Sequence, residues 1–543
     1  MIVRPWVAIR ADGTHLTGSG HIMRCRTIAL ALKRRSVDCC FITRNLDPAL
    51  ADLLRRDVIE VLKLPTDGPV PDDSQGDYGK WLGTTMAHDA AETTQALETH
   101  IEKRGTKPLT VLVDHYGLDR EWEQAVNSAT RLRIGAFDDL NRPHESAFVV
   151  DPTFGKTTDA YAHQTNDDCE LMIGTNYAVL RPDFARERAA LSNESHPSEQ
   201  LVRDLLISMG GVDERNLTQW VLEALLAHLP DKAMRFHALV GGSYRHREKL
   251  EEFANRSNGL IQVHSGIDDM AAFLTRFDLC IGAAGSSTWE RCCVGLPTLT
   301  VVQADNQRQI AANLSQAGTT AFGGDFVNEA QMPEPREWVH ETVLPLIEDA
   351  SKRNAMAKAA RELVDGHGLA RVLRALIAEG LADQEVAIRA AVEGDIGLIH
   401  EWQCFPDTRA HAVNSKVPTL SGHTQYMRTK IADENSHYMI VERTGVPVGV
   451  VRLDPVSDEP MPGSVEPSAQ NVGLVSIFTA PEHYRTGVGL IALKMLQQHF
   501  PKHVQIAQVL KDNGASHRLF TKAGFVGYTD EYYFWQAKPP SHA

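Results

Sequence analysis

The stretch Trp6-Val-Ala-Ile-Arg-Ala11, continuing through Asp12-Gly-Thr-His-Leu-Thr-Gly-Ser-Gly20 into His21-Ile-Met-Arg-Cys-Arg-Thr-Ile-Ala-Leu-Ala-Leu32, decides the fold. An apolar run leads into a glycine loop, and apolar residues then return at helical spacing, so the segment reads as strand, loop and helix. Further buried-strand candidates stand at Thr110–Asp114, Leu132–Asp138 and Ala147–Asp151, each ending in an acidic residue at the edge of a loop. Strands alternating with helical stretches imply a parallel α/β sheet.

Working outward, a polar stretch from Ser192 to Glu199 reads as a linker, and the same rhythm restarts beyond it. Strands are expected at Leu205–Gly211, Arg235–Val240, Leu279–Gly282 and Thr298–Gln303, a helix from about Asn216 to Leu229, and helical pattern up to about Glu379. Composition changes again near Gly380–Gln384, where a shorter α+β segment begins. The expected fold is α/β: two Rossmann-like domains over 1–190 and 200–380 in a GT-B-type arrangement, then an α+β domain over 385–537.

A chain of 543 residues is too long for one ordinary core, and three domains suit it. Its net charge of −15 excludes broad electrostatic binding to nucleic acid or anionic membrane, which needs clustered excess Lys and Arg. Any phosphate ligand must be held locally. The N-terminus enters an apolar strand almost at once, and nowhere do about 18 uncharged apolar residues run together, so a cytoplasmic protein is expected. Eight cysteines include the adjacent pairs Cys39-Cys40 and Cys292-Cys293, which suit neither a regular disulfide framework nor a C-x-x-C metal site. Reduced, buried thiols are expected.

Local phosphate binding has candidates. Gly18 and Gly20 let backbone approach a ligand, and the helix opening near His21 offers unpaired N–H groups. A histidine at a helix N-terminus has its imidazolium disfavoured by the dipole, so His21 is expected neutral near pH 7 and able to accept a proton from water. The residues alone leave open whether it does this or only caps and packs. Ile281-Gly-Ala-Ala-Gly-Ser-Ser-Thr-Trp-Glu-Arg-Cys-Cys-Val-Gly-Leu-Pro297 reads as a strand, a small-residue loop with two hydroxyls, and a helix, which permits backbone contact with a diphosphate. Glu290 on its first turns either takes the hydroxyls of a ribose or complements the helix dipole. Ala304-Asp-Asn-Gln-Arg-Gln309 lies at a strand's C-terminal end, where open α/β sheets place ligand groups.

Arg10-Ala-Asp-Gly13, Gly18-Ser-Gly-His-Ile-Met-Arg-Cys25, Val113-Asp-His-Tyr-Gly-Leu118, Gly285-Ser-Ser-Thr-Trp-Glu-Arg-Cys-Cys293 and Ala304-Asp-Asn-Gln307 occur in this order. Together they resemble the UDP-2,4-diacetamido-2,4,6-trideoxy-β-L-altropyranose hydrolases of pseudaminic acid biosynthesis, over about residues 1–370. The resemblance implies attack of water on the anomeric carbon with UDP leaving, and His21 as base. It also implies Tyr116 and Asn306 near the sugar as catalytic residues. Gly18, Gly20, Gly285, Ser286, Ser287, Thr288, Glu290 and Gln307 would hold the UDP-sugar. No metal is expected; the acidic pairs Asp138-Asp139 and Asp268-Asp269 are equally explained as caps. These enzymes are related to the glycosyltransferase that makes lipid II, so a UDP-sugar glycosyltransferase is the neighbouring alternative.

In the last segment, Val386–Ala391 reads as a strand, His437–Glu442 and Pro447–Arg452 as a hairpin about Thr444-Gly445, and Val472–Phe478 as a further strand. The loop Pro481-Glu-His-Tyr-Arg-Thr-Gly-Val-Gly489 then opens the helix Leu490–Gln497. Successive N–H groups in such a loop bind a pyrophosphate without net positive charge. With Asn513 and Leu519-Phe-Thr-Lys-Ala-Gly-Phe525, this order resembles the GNAT acetyltransferases across about 385–537. The resemblance implies acetyl-CoA as co-substrate, held by Tyr484, Arg485, Thr486, Gly487, Val488, Gly489 and Asn513. Two departures stand out. Tyr484 occupies the usual Gln or Arg position, with Arg485 displaced by one. Phe520 replaces the Tyr that often protonates the CoA thiolate, which leaves the general acid open among Tyr528, Tyr532 and Tyr533 and the base unassigned.

The two resemblances point to one pathway: N-acetylation of the 4-amino group of a UDP-4-amino-4,6-dideoxy sugar, then release of UDP. The expected partners are such UDP-amino-dideoxy sugars. A glycosyltransferase with an accessory GNAT-like sensing or oligomerisation module is the alternative.

Overall fold

The computed structural model describes residues 4–14, 18–66, 78–191, 201–229, 234–242, 244–328, 330, 332–382, 384–456, 460–463 and 471–537. The expected linker Ser192–Glu199 lies outside them, as do residues 15–17 of the first glycine loop. Three sheets organise the chain.

The first sheet contains β1 (Trp6–Ala11), β2 (Asp38–Thr43), β3 (Glu60–Lys63), β4 (Val111–Asp114), β5 (Ile134–Phe137), β6 (Phe148–Asp151) and β7 (Glu170–Ile173), in the order β3-β2-β1-β4-β5-β6-β7. All its pairings are parallel. Every residue of β1, β4, β5 and β6 is buried, because helices cover both faces of a parallel sheet and its strands lose the in-out alternation. The strand-loop-helix reading of the N-terminus holds: β1 is followed by helix α1, Gly20–Arg34.

The second sheet repeats the plan with β8 (Asp204–Ser208), β9 (Arg235–Leu239), β10 (Ile261–His264), β11 (Leu279–Ala283), β12 (Thr298–Val302) and β13 (Ala321–Asp325), ordered β10-β9-β8-β11-β12-β13 and again parallel throughout. The chain then returns to the first sheet. Helix Gly368–Leu373 and the π-helical turn Arg374–Ala378 pack there, with the Leu376 carbonyl accepting from Thr110 Oγ1 at 2.9 Å and the Ala375 carbonyl from Arg133 at 2.5 Å. The approach requires glycine: a Cβ on Gly368 would stand 2.2 Å from the Ala178 carbonyl oxygen.

The third sheet is mixed: β14 (Val386–Ala390), β15 (His437–Arg443), β16 (Val446–Pro455), β17 (Val472–Thr479), β18 (Val504–Gln508), β19 (Val526–Gly527) and β20 (Tyr532–Trp535), ordered β14-β15-β16-β17-β18-β20-β19. Only β17 and β18 run parallel, and their pairing stops at Val475 and Ala507 although β17 continues to Thr479. The sheet therefore splits beside helix Val488–His499. This domain packs against the first one. A single apolar cluster runs from Val7 and Ile9 through Leu373, Leu376 and Leu381 to Val446, Val448 and Val488.

All eight cysteines are free thiols and six are buried. Among the described residues no helix is long and apolar enough to cross a membrane.

Candidate active sites

In an open parallel sheet, ligands bind beyond the C-terminal strand ends where the strand order reverses. In the first sheet that point lies between β1 and β4, and in the second between β8 and β11. The segments that follow these strands carry His21, in the first turn of α1, and Tyr116, Gly285 and Ser286. The two reversal points face one another, since Ser19 Oγ lies 3.7 Å from where a Cβ on Gly211 would stand.

On the first side, His21 Nδ1 lies 2.6 Å from Asp114 Oδ1. Asp114 also accepts two bonds from Arg24, at 2.8 and 2.6 Å, and Arg24 stacks on Phe137 with its guanidinium 4.3 Å from the ring centroid. Burial opposes the Asp114 charge, yet Arg24 and the His21 donor outweigh it and hold the carboxyl well below the usual range. An ionised carboxylate only accepts, so Nδ1 carries a hydrogen, and in the neutral form of the ring Nε2 is the acceptor. Tyr116 packs edge-on against His21 at 4.6 Å and donates its hydroxyl to Asp139 at 2.7 Å. Burial, with Asp139 adding to it, raises the Tyr116 phenol well above its ordinary value, and burial likewise raises Asp139. Tyr78 and Trp81 complete an aromatic wall, 5.1 and 6.0 Å from the Tyr116 ring.

Arg10 and Asp12, from the first motif, lie elsewhere in character. They are fully buried and join Asp89 in an ion network, Arg10–Asp12 at 2.6 Å and Arg10–Asp89 at 2.8 Å, that braces the β1 loop. In the acidic pairs, Asp138, Asp139 and Asp269 accept from protein donors. Asp138 accepts from Arg142 and from Tyr161, both at 2.8 Å, and Asp269 caps helix Met270–Leu274. Among the described residues no group of three or more His, Cys, Asp or Glu side chains lies together as a metal ion would need.

On the second side, helix Ser287–Val294 opens directly after Gly285 and Ser286, and the Trp289 amide donates to the Ser286 carbonyl at 3.2 Å. The exposed Ser286 hydroxyl makes no capping bond. Thr288 differs: it is fully buried, its hydroxyl donates to the Ala283 carbonyl at 3.3 Å and its amide to Gly285 at 2.9 Å. Ser287 Oγ accepts from Arg291 at 3.0 Å. Burial raises the Glu290 carboxyl. Asn306 is exposed on the 3-10 turn Asp305–Gln307 just past β12, while Gln307 turns its side-chain oxygen back to the Gln303 amide at 2.9 Å.

The third cluster lies where β17 and β18 part. Arg485 and Gly487 both take positive φ, 62° and 79°, and Gly487 precedes helix Val488–His499. A Cβ on Gly487 would meet nothing within 4 Å, so the backbone of the turn is open to approach at this point. Two side chains read from the sequence as cofactor contacts have partners inside the protein. The Tyr484 hydroxyl pairs with Thr408 Oγ1 at 2.6 Å, and Asn513 accepts the Ser516 amide at 3.0 Å as a helix cap. Phe520 is buried against Phe525, with Tyr533 stacked 6.4 Å away. The Tyr533 hydroxyl lies 2.8 Å from His517 Nδ1, whereas Tyr528 donates to the Pro460 carbonyl at 2.6 Å.

Sequence reasoning missed Asp114, Arg24 and Asp139 as site residues. The signal for Asp114 was an acidic strand terminus beside the glycine loop, but partnership over 93 positions comes only with β1 and β4 adjacent.

Residues 205–370 match the glycosyltransferase family 28 C-terminal domain, and residues 399–525 match the acetyltransferase (GNAT) family. The chain is similar to the spore coat polysaccharide biosynthesis protein SpsG of Bacillus subtilis, 24% identical over 70% of this chain and 99% of the relative. It is also similar to the UDP-2,4-diacetamido-2,4,6-trideoxy-β-L-altropyranose hydrolase of Campylobacter jejuni, 23% identical over 58% of this chain and 97% of the relative. Among solved structures it resembles Acinetobacter baumannii MurG, with 12% identity, a TM-score of 0.47, and coverage of 68% of this chain and 99% of that one. The chain joins two Rossmann-like domains, similar in sequence to a UDP-sugar hydrolase and matching the glycosyltransferase family 28 C-terminal domain over the second of them, to a C-terminal mixed-sheet domain that matches the GNAT acetyltransferase family.

Proposed function

We propose that this protein is a bifunctional enzyme of pseudaminic acid biosynthesis. The GNAT domain transfers acetyl from acetyl-CoA to the 4-amino group of UDP-4-amino-4,6-dideoxy-N-acetyl-altrosamine. The GT-B-type pair hydrolyses the resulting UDP-2,4-diacetamido-2,4,6-trideoxy-β-L-altropyranose to free sugar and UDP. The observation that carries the hydrolase reading is the His21–Asp114 pair at one sheet's reversal point, with Ser19 of the same loop close to Gly211 of the other domain.

In the hydrolysis, His21 Nε2 takes a proton from water as the water oxygen bonds to C1. The C1–O bond breaks and its electron pair leaves on UDP. Asp114 holds the ring in the tautomer that can accept, and stabilises the imidazolium that forms. UDP is already a good leaving group, so the protein mainly positions one water and stabilises phosphate charge. Ser286 and the N-terminal end of helix Ser287–Val294 serve the diphosphate, Glu290 the ribose, and Tyr116 and Asn306 the sugar. Gly18, Gly20 and Gly285 let backbone come close, and Gln307 stiffens the loop beside Asn306.

In the acetyl transfer, the neutral amine attacks the thioester carbonyl, the C–S bond breaks with its electron pair leaving on the CoA sulfur, and the proton lost by the nitrogen passes to that thiolate through water. The turn Tyr484–Gly489 holds the pyrophosphate. Bringing amine and thioester together supplies much of the rate. The domain limits proposed for these activities are 1–190 with 200–380, and 385–537.

Incubation with the 4-amino sugar nucleotide, with and without acetyl-CoA, tests the pair of activities. CoA release followed by UDP and free diacetamido sugar is expected only when acetyl-CoA is present. One observation favours a second reading, a UDP-sugar glycosyltransferase: the match to the glycosyltransferase family 28 C-terminal domain. Turnover with water alone separates the two, since a transferase requires an acceptor.

A further inference from the structure

The cleft site and the acyl-donor turn lie at opposite ends of one helix. Helix α1 starts at Gly20 beside His21 and ends at Arg34, and its fifteen residues at about 1.5 Å each separate the ends by about 22 Å. Arg35, the C-cap residue, belongs to the first domain but points into the third. Its Nε donates to Glu482, its Nη2 to Glu401 at 2.5 Å, and its Nη1 to the Ala31 carbonyl at 3.2 Å. Arg35 and Glu482 are both fully buried. Glu482 stands in the 3-10 turn Pro481–His483, two residues before Tyr484 and the pyrophosphate turn. Trp402 Nε1 also donates to Glu482, at 3.3 Å.

The far end of the turn is tied down in a similar way. Arg443, buried in β15, donates to the Thr486 carbonyl and to the Leu381 carbonyl, both at 2.9 Å, and Leu381 follows the segment that returns to the first sheet. The two anchors of the turn therefore run to Arg35 of the first domain and to Leu381 in the segment that joins the second domain to the third.

We propose that Arg35 is a positioning residue for the acetyl-CoA turn, so that the N-terminal Rossmann-like domain completes the acyl-donor site of the GNAT domain. This rests on the reading of Tyr484–Gly489 as the pyrophosphate site. A pyrophosphate is anionic, and a bare carboxylate two residues ahead of its amide cradle opposes it. Burial alone disfavours a charged Glu482, and Arg35 reverses this, holding the carboxyl below its usual range. Without Arg35 the buried charge has lost its ionic partner, and removing one member of such a pair is strongly destabilising where it sits. Glu482 then leaves its place and carries the turn with it, or stays and repels phosphate. Both outcomes weaken CoA. His21 lies at the other end of α1 and does not depend on the pair.

The test measures CoA and UDP affinity by calorimetry on the full chain for wild type, Arg35→Met, and Arg35→Met with Glu482→Gln. The CoA Kd is expected to rise at least about tenfold in Arg35→Met, corresponding to about 1.4 kcal/mol, with UDP affinity unchanged. The double variant, which removes both charges, is expected to bind CoA within about threefold of wild type. Wild-type CoA affinity in Arg35→Met overturns the proposal, as does a double variant no better than the single one, or parallel loss of UDP binding. Should Arg35→Met fail to fold, Arg35→Gln takes its place in both variants. Wild type that binds no CoA at all overturns the acetyl-CoA reading itself, a distinct result.

Discussion

His21 Nδ1 and Asp114 Oδ1 stand 2.6 Å apart, a helix N-terminus against the end of the neighbouring strand. Because Asp114 is held ionised by Arg24, it can only accept, which fixes the neutral His21 ring in the tautomer whose Nε2 can take a proton. An amide in its place can present its NH₂ to Nδ1 and reverse the tautomer. Both His21→Asn and Asp114→Asn are therefore expected to lower UDP release by about 10²–10⁴-fold, with UDP affinity nearly unchanged. Steady-state UDP release alongside a UDP binding titration measures this. Wild-type turnover in either variant removes the pair from the mechanism.

Much of this architecture was legible in sequence because a buried parallel strand is written as an apolar run, as at Trp6–Ala11, Val111–Asp114 and Leu279–Ala283. Strands such as Glu60–Lys63 and Ile261–His264 were not singled out, since they sit at sheet edges, are partly exposed and mix polar residues into the run. The glycine loops were also legible, because Gly18 and Gly487 supply the positive φ that their turns need. Side-chain roles were less so. Thr288 reads as a ligand hydroxyl, yet its burial commits it to Ala283, and Asn513 is committed to capping. Arg35–Glu482 spans 447 positions, and no local pattern marks it.

The diphosphate side of the cleft offers the Ser286 hydroxyl and Gly285, with Glu290 as the carboxylate in the first turn of helix Ser287–Val294, and among the described residues no three His, Cys, Asp or Glu side chains gather as a metal ion would need. UDP release is accordingly expected to persist in excess EDTA. Activity that vanishes with chelator and returns with Mg²⁺ or Mn²⁺ would show that diphosphate binding needs more than backbone and hydroxyl groups.

Gly487 has φ of 79°, where a side chain is strained, and a bulky residue there would fill the space the pyrophosphate needs. Gly487→Trp is expected to abolish CoA release in the presence of the amino sugar. Hydrolysis of a pre-acetylated UDP-sugar should stay close to wild type, because Gly487 lies on the third domain and His21 on the first. Loss of both activities in a folded protein would mean that the two sites act as one.

His144 gives a pH signature of stability. Burial works against its charge, but Asp138 at 3.7 Å and Glu123 at 2.7 Å outweigh burial and push the imidazolium up to about 9. A histidine raised in the folded state adds stability that is fully present below its unfolded value near 6.5 and is lost as pH rises through about 9. The contribution is of the order of 3 kcal/mol. Urea midpoints should thus fall between pH 6.5 and 9 in wild type, and less steeply in His144→Gln. Equal slopes in the two proteins would refute the assignment.

The central claim is that water attacks the anomeric carbon within the cleft, and hydrolysis of the diacetamido UDP-sugar in H₂¹⁸O, followed by mass spectrometry of both products, tests it most directly. The account predicts ¹⁸O in the free sugar at C1 and none in UDP, with no acceptor added and with little label incorporated by His21→Asn. Label in the UDP phosphate, or UDP release that begins only when a sugar acceptor is supplied, would contradict it.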